Sequence, residues 1–328
     1  MAGDLDRDPR RASPIVSRPG VAVIAVRPGL GRRMTGLQRS LIPYLFLAPS
    51  ALVLLLVVAV PIGYAVTLSF VQWDLLRPER GLQFAGLLNY AELIVSDVFR
   101  EALVVTLIFV AGSLTLQMPL GLALALLVNR EFHFKYTVQS LLLMPLMVMP
   151  VAVSMYWRHM LEPSTGVINH LLRLIGVPVQ SWLSDLNWAL VALVIVDTCR
   201  ATPFVFILCL AGLQAIPREL PEAARVDGAS ALALLRHITL PLLAPVLLVA
   251  LLLRLMDAIR VFDLIVALTL GGPGGATRTL IYLNYEIAFS YFQIGRAAAL
   301  SVLIVLLITL LSVNLIRRMQ REVMASRD

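Results

Sequence analysis

The sequence predicts an all-α integral membrane protein, a bundle of six transmembrane helices, and three observations carry that expectation. Of 328 residues, 59% are hydrophobic and 14% charged, against about 25% charged in ordinary soluble domains. Six stretches reach the roughly 20 mainly apolar residues that a bilayer core of about 30 Å requires. Arginine is shared unevenly between the loops that join them. No alternating hydrophobicity of the β-barrel kind occurs, so helices are left to satisfy backbone groups in lipid. The same composition excludes a cytosolic enzyme and a disordered or collagen-like chain. It also removes the net charge of +7 as a sign of nucleic-acid binding, and no nucleic-acid partner is expected.

Residues 1–40 combine scattered Arg, Pro and Gly and read as a cytoplasmic N-terminal tail. A transmembrane domain follows over 41–316, with spans at about 42–69, 102–128, 138–158, 187–211, 242–268 and 296–316. The first span is too long for a signal-peptide core and lacks a cleavage site, so it is retained as a span. Pro61, Pro119, Pro145, Pro150 and Pro203 fall in or near the spans. Each removes a backbone donor and favours a kink, which serves either helix packing or a transport path. Residues 317–328 form a cytoplasmic C-terminal tail. The tails and the second and fourth loops hold seventeen basic residues against six on the opposite side. By the positive-inside rule both termini are cytoplasmic, in a multi-pass protein of the cytoplasmic (inner) membrane.

The tested catalytic and cofactor signatures are missing. Lys135 is the sole lysine and has no glycine-rich loop around it, so ATP cannot be bound by a phosphate-cradling loop of the Gly-Lys-Ser/Thr kind. The four histidines show no i, i+4 pair for zinc, and no Gly-x-Ser-x-Gly elbow occurs. Cys199 and Cys209 lie in one apolar run, with no disulfide framework. The chain is expected to be non-catalytic, with no metal site and no cofactor of its own.

The fourth loop is the most informative segment. It runs Leu220-Pro221-Glu222-Ala223-Ala224-Arg225-Val226-Asp227-Gly228-Ala229-Ser230, then Leu235-Arg236-His237-Ile238-Thr239-Leu240-Pro241. Two short cytoplasmic helices are expected around a glycine turn. Pro217 and Pro221 suit the opening of the first, and Ala223 and Ala224 leave a thin face for another protein. Gly228 permits a positive-φ turn, and Asp227 or Ser230 caps the second helix. Pro241 is expected to separate that helix from the fifth span.

This segment resembles the EAA loop of permease subunits of binding-protein-dependent ABC importers, in the spacing Glu-Ala-Ala-x-x-Asp-Gly-Ala and then Ile-x-Leu-Pro. Other stretches are similar to the sugar-importing branch of the maltose and glycerol-phosphate type. They include Leu47-Ala48-Pro49, Pro61-Ile62-Gly63-Tyr64, and Phe84-Ala85-Gly86-Leu87-Leu88-Asn89-Tyr90. Further on stand Phe262-Asp263-Leu264, Leu268-Thr269-Leu270-Gly271-Gly272-Pro273 and Gly295-Arg296-Ala297-Ala298-Ala299-Leu300-Ser301. The resemblance extends from about residue 41 to 318, and departs at Leu234-Leu235, where many relatives carry an aromatic residue.

The resemblance implies an ABC importer permease fold with cytoplasmic coupling helices, one of two membrane subunits. Its partners would be a second homologous permease, two ATP-binding cassette subunits and an extracytoplasmic solute-binding protein. The cassette subunits would bind ATP and Mg. By the resemblance Glu222, Ala223, Ala224, Asp227, Gly228, Ala229, Ile238, Leu240 and Pro241 form the loop that seats in an ATPase subunit.

Ionisable residues inside spans are candidates for function, because lipid penalises each one unless it is paired or hydrated. Arg254, Asp257, Arg260 and Asp263 alternate in sign at i, i+3 spacing in the fifth span. Counting at 1.5 Å per residue brings Arg254 to about the depth of Asp197 and Arg200 in the fourth span. An interhelical polar cluster is expected there, either lining a water-filled path or pairing for structure alone. Gln117, Tyr156, Trp157, Asn284, Tyr285, Tyr291 and Gln293 are candidate sugar contacts or interfacial anchors. The reading is a permease subunit that moves a sugar through the lipid bilayer. A disaccharide such as trehalose or maltose is favoured by the stretch from Arg254 to Asp263. Glycerol phosphate, a polyol or another small solute is the alternative cargo. A self-sufficient secondary transporter or channel is the alternative class, but it would need an internal repeat.

Overall fold

The computed structural model describes residues 36–325, so the part of the expected tails at 1–35 and 326–328 lies outside the described residues. The chain divides into two compact units, one ending at Ala59 and the other starting at Val60. In the first, α1 (Gly36–Leu54) leads into a π-helical turn, Leu55–Ala59. Helix begins at Gly36, inside the segment expected as tail. The second unit opens with α2 (Val60–Ser69), then a two-residue antiparallel hairpin, β1 (Val71–Gln72) with β2 (Gln83–Phe84).

The hairpin is held by residues of the Phe84–Tyr90 stretch. The Asn89 amide donates to the carbonyls of Ser69 at 2.9 Å and Val71 at 3.0 Å, and the Tyr90 hydroxyl donates to Ser69 at 2.6 Å. α3 (Leu88–Val95) leads to the long α4 (Asp97–Val128). The third expected span is not one helix. α5 (Lys135–Met147) and α6 (Pro150–Met160) meet at 97°. Pro150 explains the break: it opens α6 and biases the preceding residue out of the helical region, and Met149 has ψ 136.

α7 (Val167–Leu174) and α8 (Trp188–Gln214) come next, then α9 (Glu219–Val226) and the single turn α10 (Ala231–Leu234). A π turn, Leu235–Thr239, joins α10 to α11 (Leu240–Ile259). The fifth span therefore ends at Ile259 rather than 268, and α12 (Asp263–Leu268) is a separate helix packed on α6. α13 (Leu280–Tyr285) and a π turn, Glu286–Ser290, precede α14 (Ile294–Ala325), which runs through most of the expected C-terminal tail. Among the described residues five helices are long and apolar enough to cross a membrane, and the bent pair makes six.

Small residues let the central helices approach. α4 packs on α8, and a Cβ added at Gly121 would stand 2.6 Å from the Val205 side chain. A Cβ at Gly212 would stand 2.6 Å from Leu243 of α11. Without water to drive association in lipid, such close backbone packing is what holds helices together. Ala125, Val205, Phe206, Cys209 and Leu243 form one buried cluster at this junction. At the start of α14, a Cβ on Gly295 would lie 1.9 Å from the Val71 carbonyl oxygen, so only glycine admits the hairpin.

Candidate functional site

The predicted loop folds as a compact helix–turn–helix. α9 ends in a Schellman motif, with the Ala229 N–H bonded to the Ala224 carbonyl at 2.9 Å and the Gly228 N–H to Arg225 at 3.1 Å. That closure demands a left-handed residue after the cap, and Gly228 supplies φ +85. Of the two expected caps Ser230 is the one used, its hydroxyl accepting from the Ala233 N–H at 3.3 Å. Glu222, Ala223, Asp227 and Gly228 are exposed, while Ala224, Ala229, Ile238 and Leu240 are half-buried.

One expectation here is corrected. Pro241 does not separate the second helix from the fifth span; helix runs from Ala231 to Ile259 without a break. The π turn is the physical reason, because the Leu240 N–H reaches back to the Leu235 carbonyl and widens the coil just before the proline ring. The sequence reading also missed two apolar side chains. Val226 is 88% exposed and Leu232 72% exposed, whereas Leu234 and Leu235 turn partly inward. A loop with large apolar side chains exposed beside charged ones has the makings of a protein-binding surface.

The second constellation lies among α4, α8 and α11. Asp197 sits nine residues into α8, about 14 Å from its start. Its carboxylate accepts from Gln117 at 2.9 Å and from Arg254 at 3.1 Å through one oxygen, and from Arg200 at 2.9 Å through the other. The Arg254 guanidinium further donates to the Gln117 amide oxygen at 2.9 Å and to Asp257. Asp197, Gln117 and Arg254 are buried, whereas the Asp257 side chain is 54% exposed and that of Arg200 15%. Two arginines and two aspartates leave the group electrically neutral, and three helices are tied through it.

The other half of the expected ladder is absent. Arg260 caps the end of α11 and donates to the Met256 carbonyl at 3.1 Å, while Asp263 opens α12. The helix break between them destroys the i, i+3 spacing. Asn284 donates to Ser301 at 2.9 Å. Tyr285 belongs to an aromatic cluster, its ring 5.1 Å from Phe262 and 5.3 Å from Phe289. Beside it Glu286 pairs with Arg278 at 2.8 Å. Burial pushes the Glu286 carboxyl above the usual carboxylate range, with Arg278 opposing the shift. Tyr156 and Tyr291 are exposed, Trp157 is half-buried, and Gln293 bridges to Asp74 through its backbone. None of these joins the charge network.

Residues 117–323 match the family described as "Binding-protein-dependent transport system inner membrane component". The chain belongs to that family. It is thus a permease component, a multi-pass protein of the inner membrane that works within a binding-protein-dependent transport complex. The trehalose/maltose transport system permease of Thermococcus litoralis is 38% identical over 81% of this chain and 89% of its own. The trehalose transport system permease of Mycobacterium tuberculosis is 38% identical over 85% of this chain and 88% of its own. A solved bacterial ABC transporter involved in import of the acidic polysaccharide alginate shares the fold. Its chain gives a TM-score of 0.75 at 23% identity, covering 87% of this chain and 97% of its own.

Proposed function

We propose that this chain is the membrane permease subunit of an ATP-driven importer for a sugar of the trehalose and maltose class. The observation that carries the reading is the loop from Glu219 to Pro241, a capped, partly apolar projection continuous with α11. The 38% identity to trehalose and maltose permeases supports the cargo. The working complex has a second homologous permease, two cassette ATPases and an extracytoplasmic binding protein. ATP and Mg belong to the cassettes, and this chain carries no catalytic residue.

The mechanics follow from the helix continuity. The continuous helix of 29 residues spans about 43 Å at 1.5 Å per residue. A push on α9 and α10 by an ATPase subunit therefore travels along α11 to Arg254, and through Arg254 to α8 and α4. In this reading the loop from 214 to 240 faces the cytoplasm, with both termini on that side. The network near Arg254 borders the path. A half-exposed carboxylate facing hydrocarbon at a span centre would cost about 3 kcal/mol, so the face with Asp257 turns to water or protein.

The test is uptake of radiolabelled trehalose and maltose by cells carrying this chain with its partner subunits. Uptake of at least one sugar, lost when this chain is deleted and restored by it alone, is the expected result. Unchanged uptake of both sugars after deletion would overturn the cargo assignment.

A further inference from the structure

The charge network has two layers that differ in unused bonding capacity. The inner layer is closed: both Asp197 oxygens are occupied, and Arg254 spends its donors on Gln117, Asp197 and Asp257. The outer layer is open. Asp257 uses one oxygen, shared by Arg254 and, at 3.9 Å, by Arg200. Among the described residues its other oxygen has no partner, and neither has the Arg200 Nε. Leu253, one turn before Asp257 on α11, is also exposed. The accessible side of the network is therefore a carboxylate oxygen beside a guanidinium donor, with no net charge.

We propose that Asp257 is a specificity-determining residue that keeps this stretch of the path neutral. It would accept hydroxyl hydrogens from an uncharged polyhydroxy solute and repel anionic ones such as sugar or glycerol phosphates. A hydroxyl both donates and accepts, so vicinal hydroxyls match the Asp257 oxygen and the Arg200 N–H together. A phosphate group only accepts. To reach Arg200 it would have to lie against the Asp257 carboxylate, which already offsets that cation. This inference rests on the permease reading and adds the charge class of the solute and the residue that sets it.

The test reads the local potential without requiring a known cargo. In the complete transporter, Cys199→Ala removes the exposed native thiol, Cys209 being buried, and Leu253→Cys supplies a reporter. Reaction rates are measured with a cationic and an anionic methanethiosulfonate reagent of similar size. Removing one charge about 6 Å away alters each rate about threefold in water, in opposite directions. Asp257→Asn should therefore slow the cationic reagent and speed the anionic one, and Asp257→Glu should restore the parent ratio. A Leu253→Cys thiol that reacts with neither reagent overturns the proposal, because the face is then covered. A ratio unchanged by Asp257→Asn overturns it as well. Trehalose and maltose uptake by the same parent tests the permease reading separately, so either can fail alone.

Discussion

At the scale of single residues, burial divides the network into costly and cheap positions. Asp197→Ala leaves Arg254 and Gln117 buried without their shared acceptor, and breaking such a pair costs about 3–5 kcal/mol. Asp257→Ala removes a half-exposed partner and should cost about 1 kcal/mol or less. Thermal denaturation of the purified complex in detergent should rank the variants in that order. Asp197→Leu combined with Arg254→Met should recover most of the loss, because no unpaired charge remains buried. A full loss in the double variant would mean that the network is held by something other than mutual pairing. The charged members were legible from sequence, since i, i+3 spacing and depth counting need only one chain. Gln117 was legible only as a polar residue in a span. Its partners lie 80 and 137 residues away, and nothing in one sequence reports such pairing.

At the scale of elements, helix contacts decide what proline patterns leave open. Gly121 lets α4 lie against Val205 of α8 at a distance no side chain permits. Gly121→Leu should therefore reduce the amount of folded complex severalfold, since overpacking costs typically 1–3 kcal/mol. Adding Val205→Ala to a milder Gly121→Ala should restore what the single change loses, as read by complex yield after purification. Equal yields for all variants would remove this contact as the anchor of α4 on α8. Hydrophobic length located every span, and the prolines marked most irregular places. Their geometry was not legible. Pro150 breaks its span by 97°, while Pro241 and Pro61 each follow a π turn and leave helix running on. Whether a proline bends or is absorbed depends on the turn before it, which hydropathy does not encode. The end of α11 at Ile259 was missed for the same reason, because Val261 and Phe262 continue the apolar pattern through the break.

At the scale of the whole molecule, the claim is that one helix links an ATPase-facing loop to a polar network beside the path. The arginine count predicts which side that loop occupies. Cysteines introduced at 170–180 or 275–285 should react with impermeant reagents added outside intact cells, and those at 214–240 should not. Reaction of the 214–240 set from outside would invert the topology and remove the loop from the ATPases. The glycine turn tests the linkage itself. No atom lies within 4 Å of a Cβ built at Gly228, so volume is not the obstacle; its φ of +85 is. The measurement that bears most directly on the claim is ATP-driven sugar uptake by proteoliposomes holding the complete transporter, wild type against Gly228→Val, with ATP hydrolysis recorded in parallel. The account predicts normal assembly, uptake reduced to background, and hydrolysis no longer stimulated by the loaded binding protein. Wild-type uptake by an assembled Gly228→Val transporter would contradict it.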